Sequence, residues 1–183
     1  MDSSMAITVT GLLCKHAADH RLTPEECAVL TDEVTYVRSR EGSKSLDGDQ
    51  RPMVLISASG MASGGRVLHH LKAMLPDPKN TVLFAGFQAA GTRGQALVAG
   101  ASEVKIHGQY YGVAAEVAML ESLSAHADYS EILTWLGSLE TAPARVLLNH
   151  GEPSGSDALR RFLRDRLGWD ADIPELGETI TIA

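Results

Sequence analysis

Hydrophobic positions along the chain switch between a helical and an extended period. Met5, Val9, Leu12 and Leu13 recur three or four residues apart, which predicts an amphipathic helix at the start. Thr23-Pro24-Glu25-Glu26 combines an N-cap, a first-turn proline and a glutamate three residues after the cap, so a second helix starts at Thr23. Residues 40–51 are polar, glycine-bearing and aperiodic, and are expected as a loop leading into an apolar strand, Met53-Val-Leu-Ile-Ser57. Val67, Leu68, Leu71, Met74 and Leu75 then form a helical face ended by Pro76. A strand is predicted over Thr81–Gly86, and Gln95–Val98 falls in a short helix.

Strand and helix alternate again after Gly100. Glu103–His107 and Ala114–Met119 carry the two-residue alternation of strands. Asp128, with Glu131 three positions on, caps a helix whose apolar face is Ile132, Leu133, Trp135 and Leu136. A buried strand covers 145–149. Ser156 or Asp157 opens a last helix with Leu159, Phe162, Leu163 and Leu167 facing inward and Gly168 ending it, and Thr179–Ile182 is expected as an edge strand. The whole pattern implies an α/β fold with a mostly parallel sheet and flanking helices.

Composition narrows the class. The 183 residues are 44% hydrophobic and 21% charged, enough for a buried core in one domain or two small ones. A net charge of −7 argues against wholesale attraction to nucleic acid or anionic membrane, so any such contact is local. The two cysteines, Cys14 and Cys27, are expected as free thiols in a reduced, cytoplasmic setting. No apolar run approaches the roughly 20 residues that cross a bilayer, and no membrane contact is expected.

Candidate chemistry concentrates at predicted strand ends, the edge where loops of an open α/β sheet collect ligands. The stretch ISASGMASGGRVLHHL sets Ser57, Ser59, Gly60, Ser63, Gly64, Gly65 and Arg66 between a strand and a helix. Glycines allow close backbone approach, and hydroxyls, helix-start amides and a guanidinium supply donors, a layout suited to phosphate. It is neither of the two common glycine-rich nucleotide fingerprints. A tight strand-to-helix turn needing glycine is the simpler alternative. The run Gly86-Phe-Gln-Ala-Ala-Gly-Thr-Arg-Gly94 repeats the theme at the next strand end, where Arg93 either grips a second phosphate or hydrogen-bonds loop carbonyls. His69 and His70 read as solvent-facing or packing residues, and His16 and His20 as an exposed pair without metal. His126, Asp128 and His150 stand at consecutive loops of the second half, and a parallel arrangement would gather them in one pocket suited to metal-assisted hydrolysis.

These segments together resemble the β-CASP branch of the metallo-β-lactamase superfamily, the RNA-processing nucleases, over essentially the whole chain. Asp2-Ser-Ser-Met-Ala6 resembles the segment carrying the acidic residue of motif A, with Ser4 where proline is usual. Ser124-Ala-His126-Ala-Asp128 resembles motif B and Asn149-His150-Gly-Glu-Pro153 motif C, and the glycine turn 59–66 and the 91–94 run also match. The resemblance implies that residues 1–101 form part of a β-CASP cap and 102–183 a smaller α/β return segment of the lactamase fold. It implies a zinc ligand at His150, a phosphate-contacting and proton-donating role for His126, a role for Asp2 in orienting the histidines, and an RNA-lining role for the glycine turn.

The family's two zinc ions are held mainly by an amino-terminal H-x-H-x-D-H cluster, and no such cluster occurs in these 183 residues. The expectation is therefore a carboxyl-terminal portion that begins inside a domain. It would have RNA as its partner, need the lactamase region or a subunit supplying it, and be inactive alone, because one histidine does not hold a catalytic zinc. Exposed apolar surface and a homo-oligomer are expected with it. The competing expectations are a non-catalytic RNA-binding or scaffold module, and a small-molecule enzyme that uses the glycine turn for a phosphorylated ligand.

Overall fold

The computed structural model describes residues 1–120, 122 and 126–181. It divides into two compact units, Met1–Ser124 and Ala125–Ala183. Seven α-helices, a 3-10 turn and three strand pairs make up the described part, two of the pairs parallel and one antiparallel. The α/β class with parallel pairing is as the sequence pattern implies.

In the first unit, α1 (Ser4–Lys15) starts under the Ser3 hydroxyl, which accepts from the Ala6 amide at 3.2 Å. The 3-10 turn Ala17–Asp19 leads to α2 (Pro24–Asp32). Thr23 and Glu26 close the expected capping box: the Thr23 Oγ1 accepts from the Glu26 amide and the Glu26 carboxylate from the Thr23 amide. Both cysteines are free, with the Cys14 thiol directed at the Cys27 carbonyl at 3.7 Å.

Two expectations fail in the next segment. The predicted loop contains a helix, α3 (Arg40–Leu46), capped by Ser39. Local composition disfavours it, but Ser43 inside it and Asp47 just after it are tied to distant partners, which supplies the stability the glycine-bearing sequence lacks. The predicted strand Met53–Ser57 forms no ladder. It makes a single parallel bridge, Asp2 with Ser57, and leaves Val54 90% exposed, because no other described strand lies beside it.

The core of this unit gathers on α4 (Val67–Met74). Leu68, Leu71 and Leu75 pack with Ala62, Phe84, Leu97, Val104, Ile106 and Ala115. β1 (Thr81–Phe84) pairs in parallel with β4 (Glu116–Met119), and β2 (Glu103–Ile106) forms a hairpin with β3 (Gln109–Gly112), a strand the periodicity did not reveal. Between them runs α5 (Arg93–Val98), capped by Thr92. Leu75 links the layers, since its side chain is fully buried and its carbonyl accepts from the amides of both Ala114 and Ala115.

The second unit holds α6 (Tyr129–Leu136), β5 (Val146–Leu147), α7 (Pro153–Leu167) and β6 (Ala171–Asp172). Asp128 caps α6 with Glu131 as read from the sequence. Tyr129 stacks on Phe162 of α7 with ring centroids 4.3 Å apart. The last helix starts three or four residues earlier than expected, at Pro153, because proline suits the first helical position, where its missing N–H is no loss. Gly168 ends it at φ +69. The predicted strand at 179–182 is not seen over 179–181, and Ile182 lies outside the described residues. The place beside β5 is taken by β6. No helix among the described residues is long and apolar enough to cross a membrane.

Replacing Leu75 by alanine empties a fully buried site. Urea unfolding is expected to show a loss of about 2–5 kcal/mol, and a loss below 1 kcal/mol would mean that the core closes elsewhere.

Candidate functional site

Asp2 is fully buried, and every polar contact around it crosses the sequence. Its Oδ2 accepts from Ser43 Oγ at 2.5 Å and faces His70 Nε2 at 2.8 Å, and its Oδ1 accepts from Arg66 Nη1 at 2.5 Å. His70 reaches with Nδ1 to Asp47 Oδ1 at 2.6 Å, so this buried ring lies between two carboxylates. Arg66 also donates to the carbonyls of Val37 and Arg38. Burial by itself raises the Asp2 pKa. The hydrogen bonds from Ser43, Arg66 and His70 and the Arg66 charge outweigh it, and the net shift is downward.

This network anchors the glycine turn. Asp2 accepts from Ser57 Oγ through its carbonyl at 3.1 Å and donates its amide to Ile56 at 2.8 Å, while Arg66 closes the far end. Gly65 takes φ +74, and a Cβ there would lie 2.9 Å from the Ala58 carbonyl oxygen, so glycine is required. The amides of Val67, Leu68 and His69 are engaged by the carbonyls of Ala58, Gly65 and Arg66. The helix-start donors on which an anion-binding turn was expected to rely are therefore satisfied internally. Ser57, Ser59 and Gly64 are half-buried, and Gly60 and Gly65 are exposed.

The second glycine run is fastened to the first. Gly94 donates its amide to the Met61 carbonyl at 3.0 Å, Gln88 Nε2 donates to the Gly60 carbonyl at 3.0 Å, and Arg93 Nη1 donates to the Ala62 carbonyl. Arg93 Nε reaches the Lys105 carbonyl at 2.8 Å. Of the two readings open for Arg93, the structure shows the loop-carbonyl one. Gly94 leaves room for Gln88, whose Oε1 would collide with any Cβ there.

In the second unit, His150 is exposed with φ +67, a left-handed conformation uncommon for a side-chain-bearing residue. It lines a cleft of about 550 Å³ together with Asn149, Ser156, Ile173 and Glu175. Gly151 behind it leaves room for Ser156 Oγ, which would lie 2.4 Å from a Cβ at that position. His126 is exposed and precedes the α6 cap. The Asp128 carboxylate accepts from the amides of Ser130 and Glu131. Neither His126 nor Asp128 is among the residues lining the His150 cleft, so the expected common pocket is not formed there. Ser124 and Ala125 of the motif B segment lie outside the described residues. Among the described residues, no three His, Cys, Asp or Glu come together to hold a metal ion, and this donor set does not fit a catalytic zinc.

The sequence reading missed His70, Ser43, Asp47 and Gln88. A histidine four residues after Arg66 on the buried face of α4 was the available signal for His70. Nothing local distinguishes the other three.

Residues 1–97 match the Beta-Casp domain and residues 110–174 the Zn-dependent metallo-hydrolase RNA specificity domain. The first match covers more than half of the chain, which belongs to the Beta-Casp family. Among its relatives, Ribonuclease TTHA0252 of Thermus thermophilus is 38% identical over 146 residues, which is 80% of this chain and 33% of the relative. The transcription termination factor FttA of Pyrococcus horikoshii is 30% identical over 149 residues, 79% of this chain and 23% of the relative. FttA of a Lokiarchaeum species is 31% identical over 195 residues, 96% of this chain and 30% of the relative. The chain thus spans about a third or less of the length of these relatives.

Asp2→Asn removes the charge that Arg66 and His70 face and is expected to cost about 3 kcal/mol or more at neutral pH. Because the folded-state pKa of Asp2 is lowered, its contribution is full above the ordinary carboxylate range and fades as pH falls through the folded value. Urea melts at pH 7 and pH 3 should therefore show the gap between wild type and variant shrinking in acid. A gap independent of pH would mean that the carboxylate charge is not what stabilises the network.

Proposed function

We propose that this chain carries the RNA-handling part of a metal-dependent phosphodiesterase, and that by itself it holds RNA without cleaving it. The observation that supports this best is the pair of glycine turns bolted together by Gly94, Gln88 and Arg93 within the segment that matches the Beta-Casp domain, in a chain whose residues 110–174 match an RNA specificity domain. Such a surface is rigid, offers the hydroxyl-bearing residues Ser57 and Ser59, and lets a phosphate backbone approach Gly60, Gly64 and Gly65 closely. Arg66 and Arg93 serve it by fixing the two turns, and Asp2 by fixing Arg66 and His70. His126 contributes to phosphate contact and leaving-group protonation in the complete site.

Zinc enters this reading only as what a complete site would supply: a Lewis acid and a source of hydroxide near neutral pH. His150, held at the rim of its cleft, is suited to give one ligand, and the others come from protein outside these 183 residues, in a longer chain or a separate subunit. No hydrolytic step is assigned to the residues present. The absence of a three-donor group among the described residues favours, as the second reading, a non-catalytic RNA-binding module that works with such a subunit.

Elemental analysis of the pure 183-residue protein is expected to find zinc well below one per chain, unchanged by His150→Ala, and a phosphodiester substrate is expected to stay intact. Metal-dependent turnover by the pure chain, lost in that variant, would overturn the reading. The exposed Met5, Val9, Leu12, Val54 and Ile56 are apolar surface suited to further protein. Sedimentation is expected to show concentration-dependent self-association, whereas a clean monomer at high concentration would count against such an interface.

A further inference from the structure

We infer that Cys14 and Cys27 form a dithiol site that closes to a disulfide on oxidation by hydrogen peroxide and so fastens α2 to α1. They are the two cysteines of the chain, Cys14 near the end of α1 and Cys27 early in α2. The Cys14 thiol donates to the Cys27 carbonyl at 3.7 Å, and the two thiols are within hydrogen-bond reach of each other. Both sulfurs are free. The pair is therefore held together by the fold, with no covalent link between its members.

The connection between the two helices keeps the sulfurs there. His20 Nε2 stands 2.8 Å from the Leu13 carbonyl, and the Leu22 amide donates to His20 Nδ1 at 3.1 Å. An amide only donates and a carbonyl only accepts, so one imidazole ties the end of α1 to the entry of α2. The Thr23–Glu26 capping box then fixes the first turn of α2, and the Cys27 amide donates to the Thr23 carbonyl at 3.0 Å.

The two thiols differ in what they can do. Cys14 is half-buried, whereas Cys27 is 7% exposed. Burial first, and then Cys14 and the Glu26 charge, raise the Cys27 pKa, so this sulfur stays a protonated thiol at neutral pH. The oxidant therefore meets Cys14 first. The Cys14 sulfur attacks one peroxide oxygen and the O–O bond breaks. The other oxygen leaves as water with the thiol proton, and Cys14 becomes a sulfenic acid. The Cys27 sulfur then attacks the Cys14 sulfur, the S–O bond breaks, and a second water departs with the Cys27 proton. Two thiols and one hydrogen peroxide become one disulfide and two waters, the sulfurs giving up the two electrons that the peroxide takes. A dithiol reductant reverses the closure by exchange. The link joins residues 13 positions apart and stabilises the fold by restricting the unfolded chain.

The test treats dilute 183-residue protein with hydrogen peroxide, alkylates the remaining thiols under denaturing conditions and maps the peptides. The expected product is a monomer without alkylated cysteine, its Cys14 and Cys27 peptides joined and together about 2 Da lighter than when reduced, and dithiothreitol restores both thiols. Cys27→Ser is expected to stop at a Cys14 sulfenic acid that dimedone traps, and Cys14→Ser to leave Cys27 alkylatable. Thermal melts of wild type are expected to rise by roughly 5–10 °C on oxidation, with no such rise in either serine variant. Full alkylation of both cysteines after peroxide overturns the inference. So does a Cys14 that advances to sulfinic acid, about 32 Da heavier, beside an alkylatable Cys27. A disulfide found only in dimers on a non-reducing gel means that the sulfurs meet between copies and overturns it as well. Equal melting of oxidised and reduced wild type overturns the fastening of α2 to α1.

Discussion

A carboxylate taken entirely out of water has to be matched by donors, and the first unit is organised around meeting that demand at Asp2. Ser43, Arg66 and His70 approach it from α3, from the glycine turn and from α4, and Asp47 caps the far nitrogen of His70. An unpaired charge in this position would cost several kcal/mol, so each partner is held where it is. A helix with weak local propensity, a turn with a left-handed glycine and the first residues of the chain are thereby locked into one arrangement.

The consequence reaches the surface through two short links. Arg66 ends the first glycine turn, and Gly94, Gln88 and Arg93 clamp the second turn to the first. Arg93 continues to the carbonyl of Lys105, so the hairpin strand is joined to the same framework. Exposed groups on the two turns are thus held by buried polar bonds and do not depend on loops that must order first. The second unit solves the same problem differently. It places His150 by an unusual backbone conformation and a glycine that lets Ser156 sit behind it.

Much of the scaffold was legible because its signals are local. The Thr23–Glu26 and Asp128–Glu131 capping boxes, the proline and glycine that punctuate the helices, and the apolar face of α4 each depend on residues within a turn or two of one another. What escaped has the opposite character. The α3 helix is supported by Ser43 and Asp47 binding residues 41 and 23 positions away, and β3 was hidden because Tyr110 and Tyr111 break the simple apolar alternation. The Met53–Ser57 run has every composition mark of a strand and fails as one for want of a neighbour, since pairing is a property of two segments.

At the site the division follows the same line. By itself the sequence determined the family, the α/β class and the helix caps, because motif identity and short-range capping are written in neighbouring residues. Only the tertiary structure decided that Asp2 is buried, that His70 bridges two carboxylates, that Arg66 and Arg93 spend their donors on the protein itself, and that His126 and Asp128 do not line the His150 cleft. Those outcomes depend on which distant groups share a low-dielectric interior, where an unmatched donor or charge is too costly to leave, and no local pattern records that distance.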